Sequence, residues 1–374
     1  MAANLMMITW TALSLGSVLP SKAEPATEHV VRPVVQAGSE VSLPTYSHIF
    51  VIIEENKDFD QIVGGTVAPH IAEMARSYGI ATHFYGEVHP SEANYVALLG
   101  GDTFGIHDDD AYYCHAGMSD PHCQGSGAQD YANHTVYSAF LGSQLEAKGL
   151  TWKGYYEDLP EPGSLVVEAG SVTSAGGLRH VPFYASKHSG FLNFAAVQSD
   201  PHRNAKLVGF DQLKADIDSD HLPSFALIVP NQCNEMHGIG GDGLPAYCQG
   251  TAQLIARGDE VINDMVVKLM KTKTWKSKDN VAIVITFDEG TGGDREGCCG
   301  VTPKAPSNYG GGHIPTLVLT NHGPRGVSDS TPYSHYSLLR TFEDLFGLGE
   351  HLGHAGDKDA GVVTMAPLFA TSPH

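Results

Sequence analysis

The sequence predicts an α/β fold with a mainly parallel central sheet and helices on both faces. Three observations carry that expectation. Ile49–Ile53, Ser224–Val229 and Asn280–Phe287 are apolar runs without alternation, the pattern of strands buried on both faces. Segments with helical spacing lie between them, the clearest carrying Leu254, Ile255, Ile262, Met265, Val266 and Leu269 on one stripe. Two of the buried runs end in carboxylates, Glu54-Glu55-Asn56 and Asp288-Glu289, at the strand edge where α/β proteins keep their sites.

In chain order, residues 1–23 resemble an export signal. Met6–Leu19 is mostly apolar but short of a membrane span, and Ser21-Lys22-Ala23 offers small residues before a cleavage point at Glu24. Residues 24–45 are Pro, Glu and Val rich without period and read as a tether. After the first strand, Pro69 opens a helix with Ile71, Met74, Ala75 and Tyr78 on one face, and Gly79 stops it. Ile80–Phe84 reads as a short strand. Ser91 stands at an N-cap position before the helix formers of 92–99, with free N–H groups expected beside it.

Residues 102–135 read as an insertion, in which Asp108-Asp109-Asp110 is a solvated acidic loop or a calcium site. Asn133-His134-Thr135 matches a glycosylation acceptor in a eukaryotic host. Val136–Lys148 reads as helical and Thr151–Tyr156 as extended. The Gly- and Ser-rich residues 160–180 suit a mobile loop over a site. His313-Ile314-Pro315 leads into a strand at Thr316–Thr320, and His335 caps a helix over Tyr336–Phe346. No internal repeat or clean linker interrupts the chain, so 46–374 reads as a single catalytic domain.

With 22 basic and 42 acidic residues among 374, the net charge is −20. That sign disfavours a nucleic-acid or anionic-membrane surface binder, and no run after residue 23 approaches membrane length. An acidic protein handling an anionic substrate needs local positive charge, which a bound cation supplies. Six cysteines fit an exported protein, secreted or periplasmic. Cys114 with Cys123 and Cys233 with Cys248 are expected to pair locally, while the adjacent Cys298-Cys299 is left open between bridge and thiols.

Gathered carboxylates repel unless a cation sits among them, and an all-oxygen set of Glu55, Asn56, Asp288 and Glu289 suits calcium, magnesium or manganese. Zinc or iron enters if a histidine joins. A hydroxyl at Ser91 beside such a cation is an activated nucleophile. His237, His313 and His335 are candidate ligands, phosphate contacts or general acids.

Five blocks then carry a family resemblance: Glu55-Asn56-x-x-Phe59-Asp60, His89-Pro90-Ser91-x-x-Asn94-Tyr95, Pro230-Asn231…Met236-His237-Gly238, Thr286-x-Asp288-Glu289, and His335-Tyr336-Ser337-Leu338-Leu339-Arg340-Thr341-x-Glu343-Asp344. In this order they resemble the phosphoesterase family of secreted bacterial acid phosphatases and phospholipases C, within the alkaline-phosphatase-like superfamily. The resemblance implies an alkaline-phosphatase-like fold and a metal-and-nucleophile cluster of Glu55, Asn56, Ser91, Asp288 and Glu289. It also implies His237 as an active-site histidine, Asn94 as a phosphate contact, and His313 at a position where superfamily relatives approach the metal; with Asn94, His313 and His335 are taken as substrate-binding candidates. Some relatives carry two aspartates where this chain has Asp288-Glu289. The implied activity is metal-dependent hydrolysis of a phosphate monoester through phosphoserine. A phospholipase C-like diesterase on the same site is the alternative, and a non-catalytic metal- or anion-binding surface protein is the third reading. The compact chain after residue 350 favours the first. Partners are then a phosphorylated small molecule or phospholipid, with no nucleic acid and no membrane insertion expected.

Overall fold

The structure is a computed structural model describing residues 43–110, 132–174, 176–300 and 309–370. The expected export signal, most of the tether, and the Cys114 and Cys123 pair lie outside the described residues. Val41–His374 form one compact unit.

The strands are β1 (His48–Glu54), β2 (Gly79–Tyr85), β3 (Trp152–Tyr156), β4 (Glu168–Ser174), β5 (Gly177–Ala185) and β6 (Leu207–Gly209). There follow β7 (Phe225–Val229), β8 (Val281–Phe287), β9 (His313–Thr320), β10 (Val327–Asp329) and β11 (Tyr333–Ser334). The main sheet has nine strands in the order β10-β2-β9-β8-β1-β7-β3-β6, with β11 beside β2. Among the described residues, every strand pairing within this sheet is parallel except those of β9 with β2 and β8. The expected mainly parallel α/β sheet is therefore present, with β9 as its antiparallel member. Ile49–Glu54 of β1 and all of β8 are buried, so both sheet faces must be covered. Pro69–Ser77 packs on the long helix Thr251–Lys271, and Glu92–Gly100 packs on His335–Phe346. Among the described residues, no helix is long and apolar enough to cross a membrane.

Three local expectations are corrected. The 160–180 segment is not a plain loop: β4 and β5 pair as an antiparallel hairpin. Val172, Val181 and Phe183 supply the reason, packing with Cys233, Leu244 and Cys248 in a small separate core. The helix expected over 136–148 is shorter, Leu141–Ala147, because Val136 bridges to Phe194 instead. His335 is the first residue of its helix, and Ser334 occupies the cap position. Cys233–Cys248 is bridged as expected, and Cys298–Cys299 forms a bridge between neighbours.

Inside His335–Phe346, Glu343 is buried, and its Oε1 accepts the Leu352 N–H at 2.8 Å. Burial pushes its pKa up from 4.5 to about 8, and the Leu352 N–H and the Gln144 side chain offset only part of that rise. A carboxyl raised on folding contributes fully below the unfolded pKa and loses that contribution as pH climbs through the folded one. Glu343→Gln keeps the acceptor and removes the charge. The variant should match wild type near pH 4 and be more stable by roughly 2–4 kcal/mol at pH 9. Denaturant melts at the two pH values check this, and an equal difference at both would remove burial of charge as the cause.

Candidate active site

Four chain segments meet at the carboxyl edge of the sheet because of strand register. In β1 and β8, Glu54 lies beside Phe287, so the residues just past each strand are neighbours. The Asp288 N–H donates to the Glu54 carbonyl (3.0 Å), and the Asn56 N–H donates to Asp288 Oδ1 (3.1 Å). On the other flank of β1, β7 leads into the 231–238 turn, where the Glu235 carbonyl accepts the Glu55 N–H (2.8 Å). β2 points the same way, and beyond it the cis His89–Pro90 bond delivers Ser91.

Ser91 precedes the helix Glu92–Gly100, but its side chain makes no capping bond. Its buried hydroxyl instead reaches Glu55 Oε2 (3.1 Å) and Glu289 Oε1 (3.3 Å), one carboxylate from each strand end. The sequence predicts free N–H groups here, but the first helical one is taken: the Glu92 N–H donates to Asp109 Oδ1 (3.1 Å). Asn56 adopts φ +45°, a left-handed conformation that asparagine tolerates, and its Nδ2 donates to Glu289 Oε1 (2.6 Å). Glu289 Oε2 lies 2.6 Å from His89 Nδ1, whose ring is held on its far side by the Asp294 carbonyl (2.7 Å).

The two oxygens of Glu55 face different groups. Oε1 accepts the Tyr95 hydroxyl (2.5 Å) and lies 3.3 Å from His188 Nε2. Tyr95 stacks on the His188 ring (5.6 Å, 10°), and His188 Nδ1 lies 2.9 Å from Glu235 Oε1. Since a carbonyl only accepts, His237 Nδ1 donates to Gly238 O (2.7 Å) and leaves Nε2 as the lone-pair nitrogen. Burial first, then Lys187, push the His237 pKa down to about 4, so the ring is neutral over most of the pH range. Glu55, His188 and His237 offer ligand atoms within 4.8 Å of one another.

Carboxylates outnumber the cations near them, Lys57 and Lys187. Glu54, Glu55, Glu235 and Asp288 are each 0% exposed, and Glu289 is 2% exposed. Burial and then mutual repulsion raise the pKa of Glu55 and Glu235 well above the usual range and that of Asp288 to about 7. Among the described residues, no donor reaches the buried Asn56 Oδ1 or Asp288 Oδ2 within hydrogen-bond distance. Orphaned oxygens among crowded carboxylates fit a divalent cation. Two groupings that share Glu55 can hold one: the oxygens of Glu55, Asn56, Asp288 and Glu289, and the mixed set with His188 and His237, whose nitrogens suit zinc or iron as well.

Three expected substrate contacts are placed elsewhere. Asn94 is buried, and its amide is used up on the turn before Ser91: Oδ1 accepts the Glu87 and Val88 N–H groups (3.0 and 3.1 Å), and Nδ2 donates to Val88 O (2.9 Å). It sits one turn along the helix, where side chains lean back over the preceding residues. His313 bonds the Thr82 carbonyl (2.8 Å) and stacks on Phe59 (4.6 Å). His335 is fully buried between Glu87 Oε2 (2.6 Å) and the Phe287 carbonyl (2.9 Å), where it steadies the end of β8. Nor is Asp108–Asp110 a plain solvated loop. Asp108 lies 3.1 Å from His134 Nε2, Asp109 takes Lys187 (2.7 Å), and Asp110 accepts the Ala132 N–H (2.6 Å).

The profile of the Phosphoesterase family matches residues 65–349. A phosphatidylinositol-3-phosphatase from Mycobacterium tuberculosis is 30% identical over 319 residues, covering 85% of this chain and 83% of that one. A probable acid phosphatase from Kluyveromyces lactis is 25% identical over 342 residues, covering 91% of this chain and 68% of its own length. Among solved structures, a Vibrio parahaemolyticus protein of the alkaline phosphatase superfamily aligns over 82% of this chain and 67% of its own, at 14% identity and a TM-score of 0.48.

Proposed function

We propose that this chain, which belongs to the Phosphoesterase family and hydrolyses phosphate esters, acts on monoesters through Ser91 at a divalent-cation site. One observation carries the reading. The Ser91 hydroxyl is buried, free of any capping role, and within hydrogen-bond reach of carboxylates from both strand ends.

In this reading Ser91 Oγ attacks phosphorus as its proton passes to Glu55 Oε2. The ester P–O bond breaks in line with the attacking oxygen, on the face away from Glu55, and the leaving oxygen departs as alcohol with a proton from solvent. Water then attacks the phosphoserine from that face and loses a proton to solvent, while Glu55 returns its proton to Ser91 Oγ as phosphate leaves. Glu55, Asn56, Asp288 and Glu289 would hold a divalent cation, which would supply neutralising charge and polarise the phosphoryl oxygen. Tyr95 and His188 fix the orientation of Glu55, and His89 does the same for Glu289. Of the three roles the sequence left open for His237, a neutral ring with its lone pair at Nε2 serves as a ligand better than as a general acid.

Both relatives named above are phosphatases, which supports a monoester over the diester alternative. The Mycobacterium tuberculosis relative favours a second reading, in which that monoester is carried on a phosphoinositide. The two bridges in the described residues support an oxidising compartment, with residues 1–23 as export signal, 24–45 as tether and 46–374 as one catalytic domain. Assays with p-nitrophenyl phosphate, p-nitrophenyl phosphorylcholine and phosphatidylinositol 3-phosphate separate the substrates. Monoester turnover should dominate, vanish on prolonged dialysis against EDTA and return with added divalent metal. Faster diester turnover, or full activity in protein shown by elemental analysis to be metal-free, would overturn the proposal.

A further inference from the structure

Lys57 is the residue after Asn56, 6% exposed, yet among the described residues no carboxylate oxygen lies within 4.0 Å of its Nζ to form an ion pair. The ammonium is spent on backbone instead. It donates to Met236 O at 2.8 Å and Asn56 O at 3.0 Å, with Glu55 O at 3.5 Å. Both nearer carbonyls belong to non-glycine residues with positive φ, Asn56 at +45° and Met236 at +74°. For methionine that conformation costs about 1–3 kcal/mol and persists only where surroundings impose it.

Each of these turns aims a functional side chain. The Asn56 turn presents its own amide to Glu289, and the Met236 turn precedes His237. Packing supports the second turn from behind. A Cβ on Gly258, in the middle of the helix Thr251–Lys271, would stand 2.5 Å from Met236 Cε and 3.0 Å from Glu54 Oε2. Helix stability is given up there so that Met236 can fill the space. The turns belong to different chain segments, joined by the Glu55 N–H to Glu235 O bond and by Lys57.

We propose that Lys57 is a positioning residue: by holding the carbonyls of Asn56 and Met236 together, it keeps the Asn56 amide and the His237 ring aimed at the Ser91 cluster. This rests on the active-site reading above for its effect on turnover. The competing role is plain charge compensation for the buried carboxylates around it, Glu55 and Asp288 and then Glu54, the last of which has no donor to either oxygen among the described residues.

Three variants decide between them: Lys57→Met, Lys57→Arg, and Lys57→Met combined with Glu54→Gln. Each is measured for kcat and KM on p-nitrophenyl phosphate, for Mn²⁺ affinity by calorimetry without substrate, and for thermal stability. Loss of positioning should lower kcat about 100-fold with KM changed less, because small misplacements at a reacting centre carry costs of that size. Mn²⁺ affinity should fall about 10- to 100-fold. Lys57→Arg should recover part of both, and Glu54→Gln should recover neither. If Lys57→Met binds Mn²⁺ like wild type, or if Glu54→Gln restores the double variant, charge compensation is the role and the proposal is wrong. Wild-type protein that binds Mn²⁺ but does not hydrolyse the ester would instead refute the assigned activity, while the Mn²⁺ comparison still decides the role of Lys57.

Discussion

Ser91→Ala should lose on the order of 10⁴-fold or more in turnover while keeping its fold and most of its metal affinity. Both halves of that expectation come from where the hydroxyl points. A capping serine accepts a helix N–H, and its loss costs about 1 kcal/mol of stability. This hydroxyl makes no such bond and donates to Glu55 or Glu289. Removing it therefore leaves the helix Glu92–Gly100 with the N–H bond that it already has, from Glu92 to Asp109. It also relieves nothing that holds the carboxylates together. A variant that melts several degrees lower yet retains appreciable turnover would make Ser91 structural and leave water as the attacking group.

Glu55→Gln should move activity and stability in opposite directions. The carboxylate is fully buried, and burial, followed by Asp288 and Glu235, raises its pKa well above the usual range. In metal-free protein near neutral pH the charge at Glu55 is thus a cost, and the isosteric amide removes it while still accepting the Tyr95 hydroxyl at the same oxygen. Metal-free Glu55→Gln should consequently melt above metal-free wild type. Turnover should fall about 10³-fold or more, since one change removes both the acceptor for the Ser91 proton and a shared ligand of both candidate metal groupings. Added divalent metal should raise the melting temperature of wild type much more than that of the variant. Equal metal-induced shifts in the two proteins would place the cation away from Glu55.

The strand ends were legible because burial on both faces leaves a continuous apolar run, and a carboxylate pair that interrupts such a run stands out. Glu55, Asn56, Asp288 and Glu289 followed from that, and the strand register brings them to Ser91. His188 carried no comparable signal. It ends a single turn, Ser186–His188, in a stretch without periodicity, and only tertiary packing brings it to Glu55. Glu235 lies inside the Pro230–Gly238 block without standing out there, since nothing in its neighbours reports that it is fully buried. Asn94, His313 and His335 illustrate the opposite limit. A polar residue near a motif gives no indication of whether its tip meets substrate or a nearby carbonyl, and here all three serve backbone carbonyls or N–H groups. Lys57 was hidden for the same reason, as its partners are carbonyls of two distant turns.

Rapid acid quenching of wild-type protein turning over a ³²P-labelled monoester, followed by peptide mapping, tests the account at its centre. The label should be acid-stable and sit on the peptide containing Ser91, and it should be absent from Ser91→Ala and from EDTA-treated protein. Label on another residue, or no label during steady turnover together with an active Ser91→Ala protein, would contradict it.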